Sequence, residues 1–495
     1  MPPPDPETLV LYDLADPPTL DPARTWGFFD GRLIGLVFSN LVRFDAKAKI
    51  VPDLAVKWDI SEDGKTYTFT LNPQAKFSFG RAVTAEDVVY SFERIREQSH
   101  WITETIQHVE AVAPGQVVFR LRERFSPFPG LLAMPAAAIV PRESVAEREE
   151  SGIPFGEQPV GSGPWVFREW QHDQYILLER NEHYWGRKPE MPRLLYRIIN
   201  NPFTAIAEFE VGNVAVIEPL PEAEILRWRT HPQWRNHVLL SQLLNTDMLI
   251  FNCEKSPTNQ VEFRRALCQA VKSSLLLEAI REGAGVVSTG PIPPGIRGHD
   301  PQQSPLMQDV EAARATVERL GLDEQELILL LPSTEGFVQT TGEVMQALWK
   351  EIGLTVRILK MEWVTYRTML RNGEFDIAYR SWFADYPDGD NFLYPLFHSS
   401  QIPNQEQGGA NLARFSHPEV DDLIRESQQE LDEGRREALL RQADDLIFEQ
   451  APALFLWHRA NYSVIQPWLR DYTVPLIFNG TQFLDEKIVK VDKRF

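Results

Sequence analysis

The strongest constraint on the fold is a stretch in which an apolar run, a helix and an alternating strand follow one another without a break. Glu326 to Leu331 is nearly all apolar. Val344, Leu348 and Ile352 recur at helical spacing up to Gly353, and Leu354, Val356 and Ile358 then alternate as a strand. A short helix from Trp363 to Asn372 stops at Gly373, and Phe375, Ile377 and Tyr379 form another strand. Two consecutive crossovers predict a mostly parallel sheet, which puts this part of the chain in the α/β class. Further on, Ser416-His-Pro-Glu419 resembles a capping box opening a helix through Leu423 and Ile424, and residues 435 to 449 make a second amphipathic helix.

The first third reads differently, as strands and turns with one clear helix. Trp58 to Ile60 and Thr66 to Leu71 flank a turn whose Asp63-Gly64 pair supplies the positive φ of a tight hairpin. Thr84-Ala-Glu-Asp87 predicts a capped helix that continues through Val88, Phe92 and Ile95 to about Glu97. At 495 residues the chain has room for about three domains of ~150 residues. Its 37 prolines are spread throughout, with clusters at Pro2 to Pro6 and Pro291 to Pro294, so the loops should be rigid and the linkers short. Asn245 to Asn252 is a candidate crossing between domains.

Charge narrows the partners. Fifty Lys plus Arg against 70 Asp plus Glu leave a formal charge of −20, which repels nucleic acid and anionic lipid alike. The longest apolar run, Gly130 to Val140, is broken by Pro135 and is too short to span a bilayer. Cys253 and Cys268 are too few for a disulfide framework and lack zinc-site spacing; Cys268 falls on the apolar face of a helical pattern and reads as core. The opening MPPPDPETLVLY has neither a basic nor an apolar leader region, as in a cytosolic protein or a mature chain after leader removal.

The most concentrated chemical signal is Ser381-Trp-Phe-Ala-Asp-Tyr-Pro-Asp-Gly-Asp-Asn-Phe392, which follows the last predicted parallel strand. Ligands of open α/β sheets bind beyond the carboxyl ends of strands. Trp382 and Asp385 would suit an ammonium or guanidinium group there. Asp385, Asp388 and Asp390 could also serve as a hydrolytic acid and base, although Asp-Gly-Asp after proline is ordinary turn chemistry. No His-Glu-x-x-His, EF-hand loop, phosphate loop or Gly-x-Ser-x-Gly elbow appears, and His398 and His458 read as structural. The glycine-rich Val160 to Trp165 reads as a tight connection where the chain re-enters a sheet.

Asp16-Pro-Pro-Thr-Leu-Asp-Pro22, Pro52-Asp-Leu-Ala-Val-Lys-Trp58, Ser61 to Phe69, Phe77 to Phe92, Val160 to Trp165, Arg180-Asn-Glu-His-Tyr-Trp185 and Trp382 to Phe392 occur in order along nearly the whole chain. Together they resemble the peptide-class (family 5) extracytoplasmic solute-binding proteins of ABC transporters. The resemblance implies a two-lobed α/β clam-shell with an inserted third domain, hinged between lobes around a ligand. Domain I would comprise residues 1–36, 160–246 and 467–495, domain II 37–159, and domain III 247–466. It further implies a monomeric periplasmic receptor without catalytic activity or cofactor, serving an inner-membrane permease; the scattered histidines, for their part, support no metal site. A cytosolic ligand sensor on the same scaffold and, further off, a hydrolase are the alternatives.

By the same resemblance, Asp385 holds a ligand's α-amino group beside Trp382, the backbone of Ser381 and Phe383 pairs with an extended peptide, and the loop at Trp26, Gly27 and Phe28 supplies the facing edge. One departure stands out. Dipeptide-binding relatives carry an arginine just past the strand that ends here at Leu331, where it holds a C-terminal carboxylate. Leu331-Pro-Ser-Thr-Glu-Gly-Phe337 has no basic residue, and Glu335 would repel such a group. That argues against free dipeptides and leaves longer peptides and amine-bearing solutes such as opines.

Overall fold

The computed structural model describes residues 5–25, 28–323, 325–333, 336–404, 408–477, 483–484 and 487–488. Its mixed α and β elements divide into two units, one built from residues up to Ser241 and from Tyr462 onward, the other from Gln242–Asn461.

The first unit holds two four-stranded sheets. In one, Thr8–Asp13 runs parallel to Arg193–Ile198, followed by Tyr175–Arg180 and Trp165–Gln171 in antiparallel order. Gly161 and Gly163 precede that last strand. A Cβ on them would come within 2.1 and 2.8 Å of the Val37 carbonyl oxygen, so only glycine permits this close crossing into the sheet. The other sheet is wholly antiparallel and contains the expected hairpin, Ala55–Ile60 against Thr66–Leu71, closed by Gly64 at φ +69°. The Asp87 carboxylate accepts the Thr84 N–H at 2.9 Å, and the helix runs from Ala85 to Glu97. A further helix, Phe28–Val37, occupies a stretch expected to begin as a loop; Leu33, Ile34, Leu36 and Val37 are all buried in the core.

The second unit is organised around one sheet. Its main strands lie in the order Ala453–Ile465, Asn245–Phe251, Ile377–Phe383, Glu326–Pro332, Thr355–Met361. The two crossovers form as expected, with helices Gly336–Glu351 and Trp363–Asn372, and the latter ends at Gly373 in the left-handed region. Only those three crossover strands are parallel to one another, however. Asn245–Phe251 pairs antiparallel with both Ile377–Phe383 and Ala453–Ile465, so the sheet is mixed rather than mostly parallel. Pairings supplied from residues this distant leave no local periodic signature. The same strand corrects the proposed crossing at Asn245 to Asn252: all seven residues of Asn245–Phe251 are buried at the centre of this unit's sheet.

Two boundaries also shift. The helix after Ser416 begins at Pro418 with His417 as N-cap and no side-chain cap bond, so the Ser416 capping box does not form. The last crossover strand begins at Ile377 and continues through Phe383, two turns of alternation past the predicted Tyr379. Cys268 is buried in the core cluster beside Leu249, Leu267 and Trp349.

His458 is structural. Fully buried, its Nδ1 lies 2.9 Å from the Asn245 carbonyl, to which it donates, tying two central strands together. Burial lowers its pKa to about 4. The folded protein therefore keeps His458 neutral at pH values where the unfolded chain protonates it, and stability is lost as pH falls from about 6.5 to about 4. The loss attributable to this group is on the order of 3 kcal/mol. Urea midpoints of His458→Gln should accordingly decline less steeply than wild type across that window; parallel declines would show that His458 titrates normally.

Candidate functional site

The site is built at one end of the Ile377–Phe383 strand. Backbone groups of successive strand residues point to opposite edges. The Ala384 N–H donates to Leu244 O at 2.8 Å on the Asn245–Phe251 side, whereas the Tyr379 carbonyl accepts the Tyr366 hydroxyl on the other. Ser381 and Phe383 therefore direct their backbone groups away from Asn245–Phe251. On that side the pairing with Glu326–Pro332 reaches only Ala378, and no strand lies alongside beyond it among the described residues. Ser381 thus faces an open strand edge. Ser381, Trp382 and Phe383 belong to the strand itself rather than to the loop beyond it, because the alternation of Tyr379, Ser381 and Phe383 continues unbroken.

Three aspartates follow, in three different environments. Asp388 receives two bonds from the Arg436 guanidinium, each 2.6 Å, and both side chains are largely buried. Burial raises its carboxyl, but Arg436 outweighs this and holds it below the ordinary range. Asp390 accepts from Tyr386 Oη at 2.7 Å and Gln428 Nε2 at 2.9 Å, and burial, then the charge of Asp388, push it up to about 6. Asp385 differs from both. Its one side-chain contact is with Asn391, whose Nδ2 donates to it at 3.1 Å, and no basic side chain pairs with it among the described residues. The surrounding protein raises its carboxyl while the Asn391 bond pulls the other way. The residue is nonetheless exposed, and water screening keeps that shift energetically small. Asn391 also accepts the Asp385 N–H at 2.9 Å and lies 3.4 Å from Trp382 Nε1, so one amide orients both the carboxylate and the indole.

Beneath the strand end sits a second network. Asp247, with no exposure, accepts from Arg459 Nε at 2.6 Å, Arg459 Nη2 at 2.9 Å, Tyr379 Oη at 3.0 Å and Trp457 Nε1 at 2.7 Å. The Arg459 guanidinium lies 4.7 Å from the Phe337 ring centre and 5.6 Å from that of Phe383; Arg281 lies over Phe337 at 5.0 Å. The Leu331–Phe337 stretch has no basic residue of its own, yet distant segments bring two guanidinium groups to its last residue. Glu335, expected to repel a carboxylate there, lies outside the described residues, as do Trp26 and Gly27. Phe28 opens a helix of the first unit instead of lying in a loop. Nothing local in the sequence marked Arg436, Arg459 or Asp247; Asn391 lay within the quoted motif without a role.

A mixed α/β chain with an open strand edge and, beside it, a carboxylate that no cation pairs with among the described residues has the make-up of a ligand-binding protein. Residues 49–404 match the family model described as bacterial extracellular solute-binding proteins, family 5 middle, and the chain belongs to that family. It is 28% identical to the dipeptide-binding protein of Escherichia coli K12, covering 88% of this chain and 86% of that one. HbpA2 from Haemophilus parasuis has the same fold, with a TM-score of 0.88, 28% identity and coverage of 98% of this chain and 100% of that one. The ABC transporter-associated periplasmic binding protein DppA from Helicobacter pylori, solved with the peptide STSA, gives 0.80, 26% and 98% of both chains. Other relatives are named for binding heme and nickel. The family binds solutes and is not enzymatic, which removes the hydrolase alternative. No helix among the described residues is long and apolar enough to cross a membrane.

The three aspartates should separate in a stability measurement. Asp388→Asn strands the buried Arg436 charge and should cost about 3 kcal/mol, whereas Asp385→Asn, on an exposed group, should cost under about 1 kcal/mol. Equal losses in denaturant unfolding would mean that Asp385 is structural too.

Proposed function

We propose that the protein captures an extended, peptide-like or other amine-bearing organic solute at the open end of the Ile377–Phe383 strand and passes it to an inner-membrane ABC permease. One observation carries this: of the three aspartates behind the strand, Asp385 alone has neither a cation nor a hydroxyl as partner among the described residues. A solute amine would complete it with a charge-assisted hydrogen bond, and the half-buried Trp382 offers an aromatic face beside it. Backbone groups at Ser381 would pair with an extended ligand, giving affinity without reading its side chains. The peptide-binding relatives support this choice among the solutes of the family. Periplasmic relatives support an extracytoplasmic location; in the same proposal the protein acts as a monomer. The division into 1–36, 160–246 and 467–495, then 37–159, then 247–466 belongs to the same reading.

A thermal-shift screen of peptides, opines and polyamines tests the solute class, since a ligand at 100 times its Kd stabilises by about 2.7 kcal/mol. For a hit with a free amine, Asp385→Asn should weaken binding by ~30-fold or more. Unchanged affinity in that variant would remove Asp385 from the site.

A further inference from the structure

A separate space opens in the second unit at the start of the Ala453–Ile465 strand. Six residues of strand, about 20 Å, separate Ala453 from Arg459 and the network beneath the strand end. The cavity holds about 430 Å³, within the range of small-molecule sites. Helices Val261–Gln269 and Glu433–Gln450 and the chain from Asp300 to Leu306 wall it, with Leu454 and Phe455 beneath. Val271 and Phe448 extend that apolar surface. The polar lining is rich in acceptors. Asp445 and Glu449 share a helix face with Phe448, at i, i+4 and i+3 spacing, and Asp300 comes from the loop. Asp300 accepts the Gln302 N–H at 2.9 Å, while Asp445 and Glu449 have no hydrogen bond or ion pair among the described residues. Burial, then Asp300 and Glu449, raise the half-buried Asp445 carboxyl, and Arg441 offsets only part of this. Gln303 Oε1 is sealed from solvent and has no donor among the described residues. The one basic side chain of the lining, Arg265, is exposed and bonded to none of these carboxylates.

Carboxylates gathered around one space repel one another, and apolar neighbours strip water from them. An ammonium group relieves both through charge-assisted hydrogen bonds, and a hydrocarbon body attached to it covers the apolar side chains. We propose that this cavity is a second solute site, distinct from the strand end, and that it takes a small amphiphilic amine, its nitrogen among Asp445, Glu449 and Asp300 and its hydrocarbon part on Leu454, Phe455 and Phe448. Gln303 Oε1 offers a further acceptor to the same nitrogen. A neutral molecule of the same shape leaves the repulsion in place, and an acid adds to it. This site is independent of the one at Asp385.

Ligand-observed NMR titration with phenethylamine, phenethyl alcohol and methylamine tests this. The parent protein is Asp385→Asn, so that an amine at the strand end does not add to the signal. Phenethylamine should bind ~10-fold or more tightly than either of the others, because the alcohol lacks the charge and methylamine lacks the apolar body. Adding Asp445→Asn and Glu449→Gln should level the amine with the alcohol and leave the alcohol's affinity unchanged. If that variant does not fold, the amine's advantage must shrink in Glu449→Gln, whose side chain is exposed. An amine-over-alcohol preference that survives undiminished in the folded variant overturns the proposal. So does a parent that binds amine and alcohol equally, binds methylamine as tightly as phenethylamine, or binds none of the three.

Discussion

A single carboxylate with no exposure holds the end of the second unit's sheet together. Asp247 gathers a guanidinium, a phenol and an indole from the two strands that flank its own, and so ties Ile377–Phe383 to the centre of the sheet. A buried charge is tolerable only when its acceptor positions are filled, and five donors fill these, the Asn245 side-chain amide among them.

The loop beyond the strand applies the same rule to a different end. Arg436 neutralises Asp388, and Tyr386 and Gln428 satisfy Asp390, so two of the three aspartates build the loop. Asn391 orients the third without neutralising it. Electrostatically the candidate site is marked by what the described residues leave incomplete: an exposed carboxylate without a cation.

The features legible in the sequence were those that one local interaction determines. The Asp63-Gly64 hairpin, the Thr84 capped helix, the crossovers ending at Gly353 and Gly373 and the burial of Cys268 all follow from turn geometry, capping or periodicity within a short window. Long-range pairing was not legible. The antiparallel placement of Asn245–Phe251 against two strands, the approach of Arg281 and Arg459 to the Phe337 ring, and the division of labour among the three aspartates depend on residues far apart in sequence. The motif from Ser381 to Phe392 pointed to the right neighbourhood, but its spacing could not distinguish Asp385 from Asp388, because Arg436 carries no local mark.

The central claim is that Asp385 is the carboxylate that the ligand completes. A crystal structure of the protein purified without refolding, with its native solute retained, tests this most directly. The predicted result is a solute nitrogen within about 3 Å of Asp385 Oδ, with the solute's backbone or equivalent polar groups bonded to Ser381. A solute bound elsewhere, or one beside Asp385 that presents no donor to it, would contradict the account.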